Sequence, residues 1–160
     1  MKTIFLFIAI ALSVQTKAQV SKVSLEASGL TCSMCSNAIN KALKTLDFVD
    51  EVKANIKNYT FEVTFKANSK VDFDKIKMKV EKAGFSVSGF VATIHFDQVE
   101  VKNNQPVTIG DKTFVFVNVK DQSLHGIKQV KVLDKGFVSQ REYKTYAFSA
   151  PTPGTYHATI

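Results

Sequence analysis

Val23, Leu25 and Ala27 alternate with Ser24, Glu26 and Ser28. A period of two is the pattern of a strand with one buried face and one wet face. Gly29, Leu30 and Thr31 interrupt it, and from Ser36 the period lengthens. Ile39, Ala42, Leu43 and Leu46 fall at i, i+3, i+4 and i+7, with Lys41 and Lys44 on the opposite side. That spacing predicts an amphipathic helix. Val52, Ala54 and Ile56 predict a second strand, followed by a tight turn at Lys57 and Asn58. The clearest alternation comes next, Tyr59, Phe61, Val63 and Phe65 against Thr60, Glu62, Thr64 and Lys66. The two runs together predict a hairpin.

Asp72 is placed to cap a second helix, because its carboxylate can accept from the free amides of the first turn. Phe73, Ile76, Val80 and Ala83 form its apolar stripe. Gly84 suits the left-handed stop at its end. Met78 falls on the other side of the helix and is expected at the surface. Residues 85–96 read as a further strand with Gly89 at a bulge. The order is therefore β-α-β-β-α-β, whose natural layered solution is two helices on one face of a four-stranded antiparallel sheet.

Beyond residue 96 the elements become shorter. Asn103 to Pro106 and Gly110-Asp111 predict turns, 114–119 and 127–133 predict strands, and Ser139 with Glu142 makes a capping box for a short helix carrying Tyr143 and Tyr146. Residues 155–160 predict a last strand. Tyr143, Tyr146 and Tyr156 are expected to pack this half. The chain thus divides into residues 19–96 and a β-rich region, 97–160, for which a partly open, OB-like barrel is the expected form.

The first eighteen residues stand apart. Lys2 precedes an uninterrupted apolar run over residues 4–12, and a polar stretch ends at Ala18. These are the parts of a secretory signal peptide, with cleavage expected after Ala18. The run is far below the roughly 20 residues that a membrane-spanning helix needs. The expected compartment is periplasmic or extracellular, with no membrane span in the mature form. The 160 residues carry 21 Lys and Arg against 14 Asp and Glu, a formal charge of +7. The excess is spread along the chain, and Lys75, Lys77, Lys79 and Lys82 read as one solvated helix face. Export and the absence of a basic cluster argue against a nucleic-acid partner.

The candidate chemistry lies in Gly29-Leu30-Thr31-Cys32-Ser33-Met34-Cys35, between the first strand and the first helix. Free N–H groups and the positive end of the helix dipole favour thiolate over thiol there. Two intervening residues let both sulfurs converge on one ion. A structural zinc site wants about four ligands, and the chain has only this one cysteine pair. Soft thiolates select Cu(I), and Cu(I) or Hg(II) accepts two sulfurs. Such a centre stays open to a third thiolate from another protein, so a metal can pass on without being freed. Two other readings of the pair stand beside this one. A local disulfide is favoured by export. A thioredoxin-like redox pair also sits at a helix N-terminus, but here no tryptophan precedes the motif and the element order is not thioredoxin's. Met34 is expected to point away from the sulfurs, and His95, His125 and His157 are expected to be packing or surface residues.

The motif, its place in a β-α-β-β-α-β order and the Ala83-Gly84-Phe85 element resemble the heavy-metal-associated domains of copper chaperones, P-type ATPase N-terminal modules and mercury carriers. The resemblance covers residues 21 to about 96. Leu30 stands where the family motif usually has methionine. The resemblance implies a ferredoxin-like sandwich, metal ligation by Cys32 and Cys35, and a flanking role for Phe85. It implies a non-enzymatic carrier or scavenger of Cu(I), with Hg(II) or Zn(II) as alternative ions. A donor or acceptor such as a P-type ATPase or efflux component would be the partner. A mercury carrier and a thiol-disulfide oxidoreductase are the competing functions.

Overall fold

The computed structural model describes residues 19–31, 33–146, 148 and 152–160. The proposed signal peptide and Cys32 lie outside the described residues. The first half follows the expected order: β1 (Gln19–Ser28), α1 (Ser33–Lys44), β2 (Val49–Asn55), β3 (Thr60–Phe65), α2 (Phe73–Lys82) and β4 (Ser86–Val101). The second half adds β5 (Pro106–Ile109), β6 (Lys112–Phe116), β7 (Gln122–Val132), α3 (Gln140–Tyr143) and β8 (Thr155–Thr159).

The strands form one eight-stranded sheet in the order β2-β3-β1-β4-β7-β8-β6-β5. Every neighbouring pair is antiparallel except β6 and β8, which run parallel with Phe114 opposite Tyr156. The ferredoxin-like unit supplies β2-β3-β1-β4, and α1 and α2 pack on each other and on that part of the sheet. The later strands do not close into a barrel; they continue the sheet outward from β4. Residue 96 lies inside β4, whose sixteen residues pair with β1 along one edge and with β7 along the other. Ser88 is an extra residue against β1, giving the bulge beside Gly89.

The alternating positions of β1 and β3 are buried as the pattern requires: Val23, Leu25, Phe61 and Val63 are all at most 1% exposed. From the helices Ile39 and Leu43, and Phe73, Ile76 and Val80, join the same core. Asp72 caps α2, its carboxylate accepting from the Lys75 amide at 3.0 Å. Ser139 likewise accepts from the Glu142 amide at the start of α3. Gly84 ends α2 at φ +91°, a left-handed conformation that a side chain would strain.

Two local expectations are corrected. In β2 the buried residues are Val49 and Val52, whereas Ala54 and Ile56 are exposed. A register shift between Val49 and Glu51 breaks the simple alternation, and Ile56 already belongs to the turn at 56–59. Lys77 does not share the solvated face of α2. Its ammonium lies over the Phe137 ring at 4.8 Å and pairs with Asp74 at 3.1 Å. The three tyrosines pack the second half as expected, Tyr156 within the main core and Tyr143 and Tyr146 against a small second cluster of Val117, Leu133 and Val138.

The two halves are joined by aromatic packing around α2. Phe73 meets Phe90 at 4.9 Å and Tyr156 at 5.2 Å between ring centroids, and Phe137 meets Phe90 at 5.0 Å. Buried Lys112 donates to the Val71 carbonyl, pairs with Asp111, and holds its charge over Phe73. Its aliphatic stem is covered while two hydrogen bonds and a ring face meet the charge, which makes the burial of an ammonium tolerable.

Candidate metal centre

The cysteine loop is built by the end of one strand and the start of one helix. β1 stops at Ser28, and Gly29 turns the chain at φ +88°. Leu30 is 8% exposed and part of the core, so it pins the loop from below. Thr31 is exposed, Cys32 lies outside the described residues, and α1 begins at Ser33. Cys35 is therefore in the first turn of α1, half-buried and packed against the core. That turn contains no acidic residue, while Lys41 and Lys44 sit in the last turn. The lysines answer the negative end of the helix dipole, while the lack of a first-turn carboxylate leaves its positive end uncompensated beside Cys35.

Met34 is 80% exposed. Phe85 lies beside the start of the loop. A Cβ placed on Gly29 would meet Phe85 Cδ1 at 3.9 Å, so the ring lies against the turn that leads into the cysteines. The end of α2 fixes it there: the Gly84 amide donates to the Glu81 carbonyl and the Phe85 amide to the Val80 carbonyl. The β2–β3 turn reaches the same end of the sheet, because the Ala27 amide donates to the Tyr59 carbonyl.

The histidines do not converge on this loop. His95 pairs with Gln19 at the start of β1, at the opposite end of the strand from Gly29. At about 3.3 Å per residue the intervening strand spans roughly 30 Å. His125 is exposed in β7. His157 in β8 is bound at Nδ1 to buried Asp134, 2.8 Å away, and its ring stacks on Phe148 at 4.0 Å. Among the described residues, no group of three or more His, Cys, Asp and Glu side chains is placed to hold a metal ion.

Sequence reasoning passed over Ser36. It continues the stripe of Ile39 and Leu43 and is only 2% exposed, yet its hydroxyl finds no hydrogen-bond partner among the described residues. The available signal was position: a serine stands one residue after Cys35 where the stripe calls for an apolar side chain.

The heavy-metal-associated domain family matches residues 24–86. A probable copper-exporting P-type ATPase of Archaeoglobus fulgidus is 33% identical over 64 residues, covering 40% of this chain and 8% of the ATPase. A probable copper-transporting ATPase of Arabidopsis thaliana is 32% identical over 69 residues, covering 43% of this chain and 7% of that one. The chain thus spans less than a tenth of either curated relative. Among solved structures, the CopZ metallochaperone is 30% identical, with 42% of this chain and 98% of that chain covered at a TM-score of 0.39. The yeast copper transporter domain Ccc2a is 34% identical, with 41% and 88% covered at a TM-score of 0.38. The family match lies in the first half of the chain.

Proposed function

We propose, from the match of residues 24–86 to the heavy-metal-associated domain family, that the chain is an exported, non-enzymatic carrier or scavenger of Cu(I). Cys32 and Cys35 are the ligands in this reading. The observation that carries it is the placement of Cys35 in the first turn of α1, one turn beyond a glycine-led loop. The dipole of α1 and the lack of a first-turn carboxylate favour thiolates, and thiolates are soft donors suited to Cu(I). The names of the ATPase relatives support copper over mercury or zinc. Cys35, Met34 and the Phe85 flank lie at one end of the sheet, so a third thiolate can approach from solvent. Transfer then runs through a three-coordinate intermediate, in which an incoming sulfur binds before an outgoing one leaves. A P-type ATPase or another efflux component is the corresponding donor or acceptor, in the periplasm or outside the cell.

Competition against a Cu(I) chelator tests this. The protein is expected to retain one equivalent of Cu(I), and Cys32→Ser and Cys35→Ser are each expected to lose it. Copper retained by both variants would place the site elsewhere. Reduction of insulin disulfides without chelator-resistant copper would make the pair a redox centre. Parallel titrations with Hg(II) and Zn(II) rank the alternative ions.

A further inference from the structure

A groove of about 830 Å³ lies between α2 and residues 135–144. Lys77 and Glu81 of α2 line one side, and Lys135, Ser139 and Lys144 line the other. Gly136 permits the two sides to approach. It holds φ +85°, and a Cβ there would stand 3.0 Å from Lys77 Cδ. The next residue, Phe137, is buried against Phe90. Residues 135–144 fall outside the matched family segment, so the groove is a product of the chain's second half.

Between the two sides runs the first part of β4. Over residues 86–90 this strand has β1 on one edge, with Ser86 opposite Ser28 and Gly89 opposite Glu26. On its other edge, pairing with β7 begins only at Val91, opposite Lys131. β7 ends at Val132, and the chain turns away through residues 134–137. Among the described residues the pairing of β4 with β7 does not extend to residues 86–89, and no turn or loop backbone bonds to them. Unspent N–H and C=O groups along a strand are a template for a further strand, and extended peptides bind other proteins in this way.

The charges select the occupant. Three lysines face the groove against one glutamate. Lys77 is answered by Asp74, whereas Lys135 and Lys144 are exposed and no salt bridge engages either among the described residues. Position relates the groove to the cysteines. Ser28 precedes Gly29, Ser86 follows Phe85, and both line the groove, so one end of an occupant reaches the flank of the cysteine loop. We infer that an extended, acidic segment of the metal-exchange partner docks here, adding as a strand to the outer edge of β4 beside Lys135 and Lys144. The identity of the occupant as the exchange partner rests on the carrier reading; the binding of an acidic strand does not.

The test therefore uses metal-free protein. The isotope-labelled chain is titrated with a ten-residue peptide of alternating Glu and Val, and separately with its Lys and Val counterpart. The acidic peptide is expected to shift the amides of residues 86–90 and 135–144 and to slow hydrogen exchange at 86–90. Lys135→Glu with Lys144→Glu, both at exposed positions, is expected to weaken binding about tenfold without moving the melting temperature. Equal binding of the two peptides, shifts confined to the outer edges of β2 or β5, or no binding would each overturn the inference. If the acidic peptide binds as described but Cu(I) competition fails, the carrier reading falls and the docking surface stands.

Discussion

Tyr156 ties the last strand to α2 through one hydroxyl. It is 5% exposed, and its O–H donates to Asp74 Oδ2 at 2.9 Å. Burial, and then the Asp74 carboxylate beside it, push the phenol well above its ordinary value of 10.0. A group held neutral in the folded state contributes stability that is complete below its unfolded pKa. That contribution is lost as pH climbs above about 10, where the unfolded chain ionises and the native one resists. Tyr156→Phe is expected to cost roughly 1–3 kcal/mol near neutral pH, because it deprives Asp74 of a donor. It is also expected to flatten the fall in stability above pH 10. Urea denaturation of both proteins from pH 7 to 11 checks the pair of effects; parallel curves would show that this hydroxyl carries no linkage. Nothing in the spacing of Tyr156 announced Asp74 as its partner, since the two are 82 positions apart. The same limit hid the burial of Lys112, whose partners Val71 and Phe73 come from a distant segment.

At the scale of elements, local chemistry was readable wherever cause and effect lie within a turn or two. The α2 stripe, its Asp72 cap and its Gly84 stop are each decided by neighbours in sequence, and each stands where the pattern put it. Asp72→Ala is expected to lower stability by about 1 kcal/mol, seen as a lower urea midpoint with an unchanged slope. Asp72→Asn is expected to recover most of the loss; an unchanged midpoint in the alanine variant would show the cap to be idle. The cysteine loop belongs to the same legible class, since a glycine turn, a leucine anchor and a helix start are adjacent residues. Ala54 and Ile56 were misread because apolar alternation says which residues share a face, not how far the helices extend over it. Lys77 was misread because a long amphipathic side chain can turn its ammonium onto a ring supplied by another segment, here Phe137.

For the whole molecule, β4 is the decisive element. Sixteen residues make it far longer than the usual strand of about five or six. It carries the ferredoxin-like unit along one edge and the C-terminal strands along the other. Phe85, just before it, touches the cysteine-loop turn, and its first residues border the groove. The continuous sheet was not legible, because β6 beside β8 and β7 beside β4 are pairings between distant segments that no short-range period encodes. The element order alone allowed either closure or extension, and the packing of Phe114 and Tyr156 on Phe73, with Phe137 on Tyr156, goes with extension. This arrangement leaves Cys35 at one end of the sheet and keeps His157 bound to Asp134. X-ray absorption at the copper edge of the Cu(I)-loaded protein tests that division most directly. The expected first shell is sulfur alone, lost on replacing Cys32 and Cys35 together. A nitrogen shell that persists in the double variant would show that the ion sits on the histidines instead.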